Sequence, residues 1–153
     1  MPLTSIYGSL CRASIIAAMT LVCSAPVLAD GAVSKLGRMG MGARPGEMPQ
    51  FDAVVAQYNQ SGERFRIDSH CQSACTTFLS IRNVCVTPGA RLLFHAGGNM
   101  QRGIINQSST DHMLAAYKPA LQRFLIDGRF METFKFHPIS GREIISRFGY
   151  PAC

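Results

Sequence analysis

The sequence predicts a small α/β domain in which crossover helices cover a partly parallel sheet, and three observations lead there. Segments of helical and of strand periodicity alternate along residues 49–153, the arrangement that places helices over a parallel sheet. The strand candidates are short and are bounded by Gly, Pro or charged residues. The length that folds is one domain's worth.

Residues 1–29 stand apart from that domain. A lone cation, Arg12, precedes the apolar run Ile15–Cys23, no charge follows before Asp30, and Val27-Leu28-Ala29 ends on a small side chain. The run is shorter than the roughly 20 apolar residues that span a bilayer. It predicts a secretory signal peptide cut after Ala29, a periplasmic or secreted mature chain, and no stable membrane span after cleavage. Losing Arg12 takes the formal charge from +6 to +5. The other cations are scattered from Lys35 to Arg147, which argues against a nucleic-acid partner, since that needs a denser basic stripe.

Residues 30–48 carry Gly37, Gly40, Gly42 and Gly46 among several methionines and read as a Gly/Met-rich segment, with a short strand near Val33–Leu36 and a turn at Arg44-Pro45-Gly46-Glu47. Phe51, Val54, Val55 and Tyr58 recur at i, i+3, i+4 and i+7, so a helix starts the 49–153 domain and stops at Gly62. Phe65 and Ile67 alternate with Arg64, Arg66 and Asp68 as a strand. Cys71–Cys75 reads as a turn leading into a short buried helix over Thr76–Ile81. Val84–Val86 and Arg91–His95 read as strands around a Pro88-Gly89 turn, and residues 98–109 as a polar loop. One helix, kinked at Pro119, is expected from a Thr110 or Asp111 cap to Gly128. Ser140 caps a last helix running to Gly149.

Four cysteines remain after Ala29: Cys71, Cys75, Cys85 and Cys153. An even count in an exported domain favours disulfides over free thiols. Three pairings are open; Cys71 with Cys75 closes a tight loop and Cys85 with Cys153 pins the end of the chain, which makes that pairing the preferred one. Zinc held by His70, Cys71, Cys75 and Cys85 is set aside, because the spacing matches no common zinc signature. No metal and no cofactor is expected.

Ser73 falls where a strand gives way to a helix, a sharp bend beside free backbone N–H groups. His95 ends the next long strand, and strand ends at one sheet edge are where a nucleophile and a base converge. Spacing alone reads the two more blandly, as a helix cap and a structural histidine. Cysteines also stand where the familiar elbow has glycines.

The segment from Pro45 to His95, and above all Cys71-Gln72-Ser73-Ala74-Cys75-Thr76, Cys85-Val86 and Phe94-His95, resembles the core of the Clp-type serine protease and crotonase-like superfamily, and in particular small periplasmic Clp-protease-like bacterial proteins. The resemblance implies a compact, truncated core of that fold, with Ser73 as nucleophile, His95 as base, and backbone N–H groups at Gly46 and Ala74 as oxyanion donors. It implies a serine hydrolase acting on peptides; the alternative is a non-catalytic module that keeps the fold and binds a peptide or an envelope protein in the same groove. Oligomeric state is left open.

Two departures stand against the resemblance. Glu47 occupies the place of the second turn glycine. Phe136 and His137 fall where the family's acid precedes the final helix, with Asp111, Asp127 and Glu132 as the nearest substitutes.

Overall fold

The computed structural model describes residues 30–153, so the predicted signal peptide lies outside the described residues. The chain is a mixed α/β structure with two three-stranded sheets and a small hairpin. In the first sheet, β1 (Gly31–Ala32), β2 (Phe65–Ile67) and β4 (Val84–Val86) run parallel. In the second, β3 (His70–Gln72) lies parallel to β5 (Arg91–Phe94), and β8 (His137–Ser140) is antiparallel to β5. β2 continues almost directly into β3, and β4 into β5, so these two pairs are successive rungs of one winding path, each giving one strand to each sheet. A 3-10 helix, Ser73–Ser80, makes the crossover between rungs.

α1 (Met48–Ser61) forms where the apolar stripe predicts it, with Pro49 in the first turn and Gly62 closing it in the left-handed region. Its buried Phe51 stacks on Phe78 at 5.6 Å, and Phe78 meets Phe65 edge-on at 5.1 Å. Helix, crossover and first sheet are thereby joined through one aromatic contact chain. Residues 74–79 of the crossover are all buried.

Five readings are corrected. Val33–Lys35 is a 3-10 turn, and the strand there is the two residues before it. The elbow is preceded by a true strand, β3, pinned by its register Cys71 to Leu92. The segment expected to be a featureless polar loop folds as a hairpin, β6 (Gly98–Asn99) and β7 (Ile104–Ile105), around a 3-10 turn at Met100–Arg102. Its strands are too short to show alternation. Pro119 breaks rather than kinks the next helix: α2 (Gln107–Ala115) is capped by Asn106, not by Thr110 or Asp111, and α3 (Pro119–Asp127) begins at the proline. His137, which falls in none of the expected elements, pairs with Phe94 in β8.

α4 (Gly141–Phe148) starts at the predicted cap, where the Ser140 hydroxyl accepts from the Glu143 amide at 3.2 Å. Gly141 is required: a Cβ there would stand 2.0 Å from the Thr87 carbonyl oxygen.

The cysteines pair as Cys71–Cys75 and Cys85–Cys153, the preferred arrangement. Pro151–Cys153 lies along β4, with the Val86 amide donating to the Pro151 carbonyl and the Cys153 amide to that of Val86. No described helix is long and apolar enough to cross a membrane.

Candidate functional site

Ser73 has φ +54°, a left-handed conformation rare for a residue with a side chain. The cause is local: β3 ends at Gln72, the crossover helix begins at Ser73, and the Cys71–Cys75 bridge closes over the junction. Thr76 donates its hydroxyl hydrogen to the Ser73 carbonyl at 2.6 Å and accepts from the buried Tyr117 hydroxyl at 2.6 Å. Burial pushes the Tyr117 phenol far up, so it remains a donor. Strain of order 1–3 kcal/mol in such a residue persists only where the surroundings over-determine it; here a disulfide and a buried hydroxyl chain do so.

Gly42 is packed against the elbow. A Cβ on it would come 2.8 Å from Ser73 Cβ and 2.9 Å from the Gln72 carbonyl oxygen, and its φ of +84° favours glycine independently. The resemblance points to Gly46, in the turn Pro45-Gly46-Glu47, and does not mark Gly42. Gly46 also has φ +84°, and it lines one of the cavities at Ser73 together with Ala74. The Ala74 amide belongs to the first turn of the crossover helix, where N–H groups lack intrahelical partners.

His95 is 4 % exposed and follows directly on β5. Its Nδ1 lies 2.6 Å from the Ala96 carbonyl oxygen, a contact that requires Nδ1 to carry the proton and leaves Nε2 with a free lone pair. Nε2 is buried and has no hydrogen-bond partner among the described residues. Burial holds the pKa of His95 below its ordinary value, and the Ala96 carbonyl opposes that shift. The ring is neutral at pH 7. Phe136 meets it edge-on at 4.9 Å and Phe134 lies at 6.0 Å.

The predicted pair shares one cavity. Ser73 and His95 both line a space of about 210 Å³, together with Phe136, Met100 and Gln72. An adjoining cavity of about 280 Å³ also reaches Ser73 and is walled by Met48, Met113 and Ile104. Because Nε2 is unpartnered, no hydrogen bond joins His95 to Ser73.

None of the substitute acids reaches the ring. Asp111 accepts from Gln107, Glu132 pairs with Arg129, and Asp127 lies on α3 at a separate surface hollow. The position expected to hold the acid carries the Phe136 ring, and His137 stacks on Phe130. Glu47, at odds with the turn pattern, ties the loop together: it accepts from Arg38 at 2.5 Å and from the Arg44 amide at 2.8 Å. Those two bonds hold its carboxyl below the usual range. His112, expected in a first turn, sits near the end of α2 and pairs with Asp52 at 2.8 Å.

No family model, curated protein or solved structure matches the chain.

Proposed function

We propose that the chain is an exported serine hydrolase of truncated Clp-like architecture, with Ser73 as nucleophile and His95 as base. The observation that carries this reading is the buried, unpartnered Nε2 of His95 in a cavity shared with a serine at positive φ. An unsatisfied buried polar atom costs about 1–3 kcal/mol, and the Ser73 hydroxyl would relieve it by donating to Nε2 in the substrate complex. Apo sites often lack the final contact, which forms in the substrate complex. The two disulfides suit an oxidising compartment and support export.

In the reaction, Ser73 Oγ attacks the substrate carbonyl carbon while its proton passes to His95 Nε2. The oxyanion is held by the Ala74 amide and amides of the loop between Gly42 and Gly46. The carbon–nitrogen or carbon–oxygen bond then breaks as the leaving group takes the proton back from Nε2. Water repeats the sequence on the acyl-serine and restores the hydroxyl. The Ala96 carbonyl fixes the tautomer, the orienting task of the usual carboxylate. It carries no full charge, so it stabilises the imidazolium less; losing the carboxylate elsewhere costs ~10⁴-fold, and slow turnover follows.

The test is fluorophosphonate labelling of the oxidised mature protein. Labelling is expected at Ser73, abolished by Ser73→Ala and strongly slowed by His95→Gln. The absent Ser73–His95 bond and the phenyl ring at the acid position favour a second reading, a module that binds a peptide or envelope protein without cleaving it. Complete lack of labelling in protein with both disulfides formed selects that module.

A further inference from the structure

The two cavities that meet at Ser73 have one charged feature in common. Arg44 lines both, and no Asp or Glu lines either. The nearby carboxylate of Glu47 is already held by Arg38 and by the Arg44 backbone amide. Among the described residues the Arg44 guanidinium therefore has no ion-pair partner. The same cavities carry exposed apolar side chains beside neutral polar ones: Met41 is 58 % exposed, Met100 45 % and Ile104 56 %, three of the few large apolar side chains that the described fold leaves in water. Met41 and Met100 line one of the two adjoining cavities and Ile104 the other, and exposed apolar side chains gathered in this way mark a binding surface. A planar guanidinium at such a rim pairs best with a carboxylate, in a charge-assisted bidentate geometry that a neutral amide cannot match.

We propose that Arg44 selects the substrate by reading a carboxylate close to the acyl group presented to Ser73, so that the groove takes anionic peptides with apolar flanking side chains. This rests on the hydrolase reading and specifies its substrate. The carboxylate has two sources, the free C-terminus of a peptide or an acidic side chain within it. Arg44 touches the bound group and leaves the bond chemistry to Ser73 and His95.

Binding is measured to the Ser73→Ala protein, which removes turnover from the readout. One peptide pair is an N-acetylated apolar tripeptide as free acid and as C-terminal amide. The other is an amide-capped tripeptide containing Asp, with its Asn counterpart. At least one pair is expected to show ~10-fold tighter binding of the anionic member at low salt, and the pair that does so identifies the source. Raising the salt shrinks the ratio, because the rim is open to solvent. Arg44→Gln is expected to bring the ratio close to one and Arg44→Lys to keep part of it, while Arg123→Gln, in α3 at a surface hollow that shares no lining residue with the two cavities, leaves it unchanged. Ratios near one in both pairs with Arg44 present, or a ratio that survives Arg44→Gln, overturn the proposal. Failure of the hydrolase reading looks different: fluorophosphonate labelling is absent from the otherwise unaltered protein while the Arg44-dependent ratio persists.

Discussion

His95 is the residue through which pH acts on this protein. Its pKa lies below the ordinary 6.5 because the ring is buried, with the Ala96 carbonyl pulling the other way. A base must be neutral to accept a proton, so the rate of probe labelling is expected to rise with pH through a midpoint below 6.5 and then level off. The same depression has a sign for stability. As pH falls past about 6.5, the unfolded chain takes up a proton that the folded chain refuses until its own lower pKa, so stability is full above that point and declines below it. Denaturant midpoints compared at pH 7.5 and pH 5.5 should show the decline, and His95→Gln should reduce it. The cysteine pairing was legible in the sequence, and the bend at Ser73 with it; that Ser73 and His95 share a cavity was expected from the resemblance, since spacing alone reads them as a cap and a structural histidine. Gly42 and the Ala96 carbonyl were not legible: one hides in a loop with several equivalent glycines, and the other is main chain that no side-chain pattern can mark.

At the scale of elements, long amphipathic pieces were legible and short strands were not. α1 and α4 carry apolar repeats and stop signals, and both form as expected. β3, β8 and the hairpin β6–β7 contain two to four residues each, too few for a period-two pattern to rise above chance. Their positions come from partners instead, as with Cys71 opposite Leu92 and Phe94 opposite His137. This matters for the site, since β3 aims Ser73, β5 leads to His95, and the β6–β7 hairpin supplies Met100 and Ile104 to the cavity walls. The helix caps can be tested directly. Ser140→Ala removes the acceptor for the Glu143 amide and is expected to lower stability by about 1 kcal/mol in denaturant unfolding, with little change in labelling because α4 lines neither cavity at Ser73.

Across the whole molecule the two disulfides have separate tasks. Cys85–Cys153 closes a loop with 68 residues of separation, which on chain-entropy grounds stabilises the fold by about 4 kcal/mol. Cys71–Cys75, with a separation of 4, contributes only about 2 kcal/mol by the same reasoning. Its larger effect is on the elbow. Replacing Cys71 and Cys75 together by Ala should leave a folded protein whose Ser73 labels far more slowly; replacing Cys85 and Cys153 should do the reverse, lowering the unfolding midpoint more and labelling of the folded fraction less. The α/β class followed from the alternation of patterns. The stacking of two rungs did not, because it depends on strands that the sequence barely signals.

The Pro151–Cys153 strap has one last consequence. Lying along β4 and bolted to it through sulfur, it hides peptide groups that would otherwise invite a neighbouring molecule to add a strand. Reductant unlatches that flank, and clumping of still-folded copies, rather than unfolding alone, is what a light-scattering trace would then record.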